Sequence, residues 1–195
     1  MTKLNDNNTA ARLSLGRVFL SRIKRIQKPP LELQLNFWIV FATGLLLDLW
    51  SKRAVFDWLK QQPSGYISVI DGFFRLVAVE NAGAAFGIAA GQRILLTAIS
   101  IIALAVLFFI IFFGNAKRRV VFIALGLFTA GVCGNLYDRV FNDGMVRDFI
   151  DIYYGKYHWP AFNVADSMLC VAVGLLLITG VFIEKSSQEH AQQHK

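Results

Sequence analysis

The chain has 195 residues, of which 55% are hydrophobic and only 17% charged, with a mean hydropathy of +0.49. That length suits one domain, and so apolar a composition argues against a soluble one, so the membrane class comes first. The net charge of +7 is concentrated ahead of Pro29, where Lys3, Arg12, Arg17, Arg22, Lys24, Arg25 and Lys28 face only Asp6; no folded basic module accompanies these charges, so a nucleic-acid partner is not expected.

Within this basic tail Leu15, Val18, Phe19, Ile23 and Ile26 recur at helical spacing. The pattern fits an amphipathic helix on an anionic membrane surface, a disordered topogenic tail or, less well, a transit peptide. Residues 1–32 lack an apolar core followed by a small-residue cleavage site, so the first apolar run is expected to be an uncleaved anchor. Pro29-Pro30 breaks any helix ahead of it.

Four apolar runs follow: Leu35 to Leu49, Ile94 to Phe113, Val120 to Leu136 and Val164 to Ile183. Each approaches the roughly 17–25 residues needed to cross the hydrocarbon core, the first only if it includes Asp48. The basic tail and Lys117-Arg118-Arg119 mark the cytoplasmic side, which puts both termini inside and the segments Arg53 to Arg93 and Val140 to Phe162 outside. In the first outer segment, residues 66–70 and 74–79 are rich in β-branched and aromatic side chains around an Asp71-Gly72 turn. The expected fold is mainly α and integral to the membrane: four transmembrane helices with a small β-sheet on the outer membrane surface. Cys133 and Cys170 lie in apolar runs and read as core thiols. The tail after Ile183 is polar, and its His190 and His194 make a poor metal site.

On this topology every polar cluster of the spans falls at the outer ends of the helices: Asp48 with Lys52, Asn81 to Gly87 ahead of span two, Asn135 with Asp138 and Arg139, and Asn163 with Asp166. Ionisable groups are costly in or near hydrocarbon, so they should face inward and meet one another. Asp48 and Lys52, Asn135 and Arg139, and Asn163 and Asp166 each share a helix face by spacing. Taken singly, Lys52 and Arg139 could snorkel to headgroups and Asn163 could cap span four with help from Asp166. Convergence on one side favours a site.

In the outer loop Asp148 sits between apolar residues just before the chain re-enters the membrane. Asp143 and Asp151 compete with it. Asp143-Gly144 reads as a turn; Asp151 is expected to share the face of Asp148, and pattern alone does not separate the two. There is no His-Glu-x-x-His zinc pair and no Gly-x-Ser-x-Gly elbow, and the adjacent Ser51 and Lys52 diverge on a helix. A pair of carboxylates at a membrane-embedded site remains.

Four stretches resemble, in order and spacing, the motif boxes of the lipoprotein signal peptidase (signal peptidase II) family. They are Asp48-Leu49-Trp50-Ser51-Lys52; Glu80-Asn81-Ala82-Gly83-Ala84-Ala85-Phe86; Gly134-Asn135-Leu136-Tyr137-Asp138-Arg139; and Val146-Arg147-Asp148-Phe149-Ile150 with Phe162-Asn163-Val164-Ala165-Asp166-Ser167. The resemblance runs from about Asn36 to Ile183. Trp50, Ser51, Ala82, Cys133 and Arg147 depart from the family pattern, and Arg147 is placed to perturb Asp148.

The resemblance implies an aspartyl endopeptidase with Asp148 and Asp166 as the catalytic dyad. Asn81, Asn135, Arg139, Asn163, Asp48 and Lys52 would bind substrate, with Gly83 and Asp138 structural and no metal or cofactor. It also implies the substrate, a prolipoprotein carrying a lipid-modified cysteine, cut before that cysteine. The expected organisation is a basic cytoplasmic tail (1–32), a membrane peptidase domain (33–184, with an outer sheet segment at about 54–92 and an outer loop at about 140–162) and a polar cytoplasmic tail (185–195). A multi-pass monomer among membrane lipids is expected in the bacterial cytoplasmic (inner) membrane, its site near the periplasmic or outer face. A small ion-coupled transporter and a non-enzymatic assembly subunit are the competing classes; a transporter would place ionisable groups near the midplane, whereas an assembly subunit would use these residues as helix glue.

Overall fold

The computed structural model describes residues 29–84, 88–114 and 116–193. The amphipathic stretch of the basic tail, the Ala85-Phe86 end of the second motif box and His194 lie outside the described residues.

Helix α1 (Leu31–Leu59) starts directly after Pro30, with Glu32 in its first turn beside the positive end of the helix. It runs well past the apolar stretch that ends at Leu49, because Asp48 and Lys52 find partners inside the protein rather than stopping the helix. Helix α2 (Arg93–Phe113) closes at Gly114, and helix α3 (Arg119–Phe141) carries Arg139 in its last turn. Helix α4 spans Val164–Gln193. Among the described residues, α1, α2 and α3 are long and apolar enough to cross a membrane, while α4 carries a shorter apolar stretch, Val164–Gly180.

Strands β1 (Tyr66–Ile70) and β2 (Phe74–Asn81) form the expected hairpin, with Gly72 at φ +78° in the turn, a conformation glycine adopts without steric cost. The segment expected as an outer loop is itself a strand, β3 (Val146–Tyr154), followed by the short β4 (Tyr157–His158). The sheet is antiparallel in the order β1-β2-β3-β4. Between Leu76↔Ile150 and Val79↔Asp148 strand β2 holds one residue more than β3, a bulge that shifts the register.

Helix α3 is the hub, packed against α1, α2 and α4. One end of the bundle is apolar, with Phe37, Leu107, Ile111, Phe122 and Leu125 buried together. Along its length α3 presents small residues so that its neighbours can approach closely. A Cβ at Gly126 would stand 2.9 Å from the Phe37 carbonyl oxygen, and one at Gly131 would stand 2.7 Å from the Ala165 carbonyl oxygen. The outward helix faces are apolar, as at Leu46, Ile102, Phe109 and Leu177, which suits a lipid surround.

Gly131→Ala should therefore force α4 away from α3 and cost about 1–3 kcal/mol. Gly174→Ala, with nothing within 4 Å of the added carbon, should be neutral. Thermal unfolding of both variants in detergent checks the contrast.

Candidate active site

The start of α4 is a reciprocal cap. The Asn163 side-chain oxygen accepts from the Asp166 backbone N–H at 3.0 Å, and an Asp166 carboxylate oxygen accepts from the Asn163 N–H at 3.2 Å. Capping takes only part of each side chain. The other Asp166 oxygen accepts from Asn135 Nδ2 at 2.8 Å, and Asn163 Nδ2 donates to Asn135 Oδ1 at 3.2 Å. Asn163 Nδ2 also donates to Asp148 at 2.7 Å. Asp166 and Asp148, from a helix and a strand, are thus joined through two asparagine amides.

Asp148 lies on β3, buried at 2% exposure. Its second oxygen accepts from Asn81 Nδ2 at 3.0 Å, and Asn81 Oδ1 is fixed in turn by the Gly83 N–H at 2.9 Å. Removal from water pushes the Asp148 carboxyl up to about 6; the hydrogen bonds from Asn81 and Asn163 and the charge of Lys52 oppose the rise, and the charge of Asp166 adds to it. Asp151 stands three residues on, so strand alternation places it on the opposite face. There it pairs with Arg75 at 2.6 Å and with His158 at 3.1 Å. Burial alone would raise Asp151, but these two partners carry it below the usual carboxylate range. The expectation that Asp151 would share the face of Asp148 is thereby corrected. Asp143 sits in the turn as read, at φ 47° ahead of Gly144.

Asp48, Lys52 and Asp138 have no exposed surface. Lys52 Nζ is 2.8 Å from Asp48, 3.4 Å from Asp138 and 3.0 Å from Asn135 Oδ1. Asp48 also accepts from the Ala165 N–H at 2.8 Å. It reaches that far because position 134 is glycine; a Cβ there would collide with the Asp48 carboxylate. Asp138 accepts from the backbone N–H of Arg147 at 3.0 Å and from its guanidinium at 2.5 and 3.2 Å. Two expectations change here. Asp48 and Lys52, expected to bind substrate, are enclosed by protein and do not line the cavity that holds the other site residues. Arg147, expected to perturb Asp148, is turned to Asp138 on the other face of β3.

Asn81, Gly83, Asn135, Arg139, Asp148 and Asp166 line one cavity of about 670 Å³. Asn163 is fully buried and stands behind its wall. Arg139 donates to the Gly83 carbonyl at 3.1 Å, and its charge faces Asp166, Asp148 and Asp138. Its Nε has no hydrogen-bond partner among the described residues. The cavity continues between the helices along Ile99, Ala103, Phe128, Val132 and Leu169, so its floor is apolar. Trp159 to Phe162 form its remaining wall and were missed from sequence. The available signal was the Gly155-Lys156 turn between two aromatic stretches.

A buried acid and a half-buried one along the same cavity, with amides on both and an arginine alongside, can activate a water against a peptide carbonyl. The comparisons point to the same chemistry. The family model for signal peptidase (SPase) II matches residues 40–182. A lipoprotein signal peptidase of Syntrophus aciditrophicus is 37% identical over 169 residues, covering 83% of this chain and 99% of its own. One of Clostridium acetobutylicum is 36% identical over 151 residues, covering 77% and 96%. A bacterial membrane enzyme solved by the in meso method at 2.3 Å superposes with a TM-score of 0.68 at 29% identity, over 78% of this chain and 90% of that one. A second, solved at 1.9 Å, gives 0.61 at 31% identity, over 73% and 90%. The transporter and assembly-subunit readings fall away, for a match that takes in all four clustered polar groups leaves one assignment: this multi-pass membrane chain belongs to the signal peptidase II family.

Proposed function

We propose that the chain is an aspartyl endopeptidase that removes the signal peptide from prolipoproteins by cutting before their lipid-modified cysteine, with Asp148 and Asp166 as its dyad. The reading rests on one observation: carboxylates from two distant stretches line a single cavity and are bridged through Asn163 and Asn135. Two neighbouring carboxylates away from bulk water share one proton. Burial disfavours ionisation at Asp148, so the resting proton belongs there and Asp166 takes the proton from water. Asp148 then donates to the carbonyl oxygen as the tetrahedral intermediate forms, and the proton from water passes to the leaving amine. Arg139 and Asn81 orient the peptide; Asn135, Asn163, Asp48, Lys52, Asp138 and Gly83 are positioning residues. The apolar floor accepts the acyl chains as they arrive laterally from the bilayer.

In this reading α4 is the fourth span. The peptidase domain occupies residues 33–184, between a basic tail (1–32) and a polar tail (185–195), both cytoplasmic. The sheet and the site lie at the outer face of the inner membrane, and the protein works as a monomer.

Asp148→Asn and Asp166→Asn should each lower processing of lipid-modified precursor about a hundredfold or more; normal processing by either excludes the dyad. A second outcome concerns stability. The Asp148 carboxyl is lifted above its ordinary value of 3.8 to about 6, so the folded state is favoured at low pH and loses about 3 kcal/mol as pH rises through that window. The melting temperature of Asp148→Asn minus that of the parent should therefore climb between about pH 4 and pH 7; a flat difference would contradict the raised carboxyl. For topology, a membrane-impermeant thiol reagent on spheroplasts should label Lys156→Cys and spare Lys117→Cys, with both native cysteines replaced. The reverse pattern would place the site in the cytoplasm.

A further inference from the structure

A second cavity, of about 490 Å³, opens on the flank of α1. Leu46, Leu49, Trp50, Arg53 and Asp57 follow one another at helical spacing along one face, and Tyr137 and Arg147 close the other side. No residue lines both this cavity and the peptidase cavity. Polarity is graded along the face. Leu46 and Trp50 are each 67% exposed, in a helix whose apolar run ends at Leu49, and Arg53 one turn further is 83% exposed as a side chain. Aliphatic, then indole and phenol, then guanidinium is the order met in passing from hydrocarbon to headgroup.

The charges at the upper end are incompletely matched. Asp57 stands 3.8 Å from Arg53 and 3.3 Å from Lys60, so two cations share one carboxylate. These pairs are solvent-exposed and weak, and Arg53 can turn away from Asp57 at little cost. Arg147 gives Nε and Nη2 to Asp138, and its Nη1 is not used in those bonds. Two guanidinium groups with spare donors above an apolar trough suit a phosphate diester that carries acyl chains.

We propose that this cavity is a phospholipid site. An acyl chain lies on Leu46 and Leu49, the ester region lies against Trp50 and Tyr137, and the phosphate is held by Arg53 and the free edge of Arg147. The site is independent of the peptidase reading and of which side of the membrane this end faces.

The test is native mass spectrometry of the detergent-washed full chain titrated with dioleoyl phosphatidylglycerol, with dioleoylglycerol and with inorganic phosphate. One phosphatidylglycerol should be retained. Dioleoylglycerol should bind about tenfold or more weakly, because it lacks the phosphate that the guanidinium groups hold. Inorganic phosphate at millimolar level should not displace the lipid. Arg53→Gln, at an exposed position that the fold does not need, should weaken retention about tenfold, and Trp50→Ala should weaken it as well. Equal retention by parent and both variants would mean only annular lipid and would overturn the proposal. So would equal binding of dioleoylglycerol, and displacement by inorganic phosphate would mark an ion site rather than a lipid site.

Discussion

Lys52 is a primary ammonium with no exposed surface, at the end of an apolar bundle. An unpaired charge there would cost several kcal/mol, so the surrounding chain must supply partners. It does so from two helices, and each partner extends the constraint. Asp48, 2.8 Å from the ammonium, also holds the Ala165 N–H and so sets where α4 begins. Asp138 on α3 also holds the backbone and guanidinium of Arg147, which sets β3. Asn135 accepts from Lys52 and donates to Asp166. One ammonium therefore determines the placement of both acid-bearing elements without touching the cavity.

The same neighbourhood has a charge balance that bears on the chemistry. Asp48, Asp138, Asp148 and Asp166 stand against Lys52, Arg139 and Arg147. Carboxylates exceed cations by one, so a single proton brings the cluster to neutrality. Asp148 is buried as well, but its partners Asn81 and Asn163 are neutral amides rather than cations. Asp48 and Asp138 are each met by Lys52, and Asp138 by Arg147 as well. Pairing thus divides the acids into two that are met by cations inside the protein and two that line the cavity as the proposed dyad.

Much of this was legible in the sequence because it is local. The apolar runs, the Asp71-Gly72 turn, the hairpin strands and the Asn163-to-Asp166 cap follow from spacing and residue type. The convergence of polar residues at one end followed from topology and the cost of burying charge. What was not legible depends on pairing across the fold. Val146 to Tyr154 is a strand because β2 and Phe162 flank it, with Ile150 bridging to Phe162. Two aspartates in that run pointed to loop until those partners were present. Nor could spacing say that Asp48 and Lys52 face inward past the cavity rather than into it, since that turns on a glycine at 134 in another helix.

The bulge in β2 has a chemical effect out of proportion to its size. Leu76 pairs with Ile150, and an uninterrupted ladder would then set residue 78 against Asp148 and turn Glu80 to that face. The extra residue brings Val79 opposite Asp148 and carries Asn81 to the same side, while Glu80 pairs with Arg147 on the other. A one-residue slip in a surface strand thus decides whether a third acid or a neutral amide stands beside the Asp148 carboxyl of the proposed dyad.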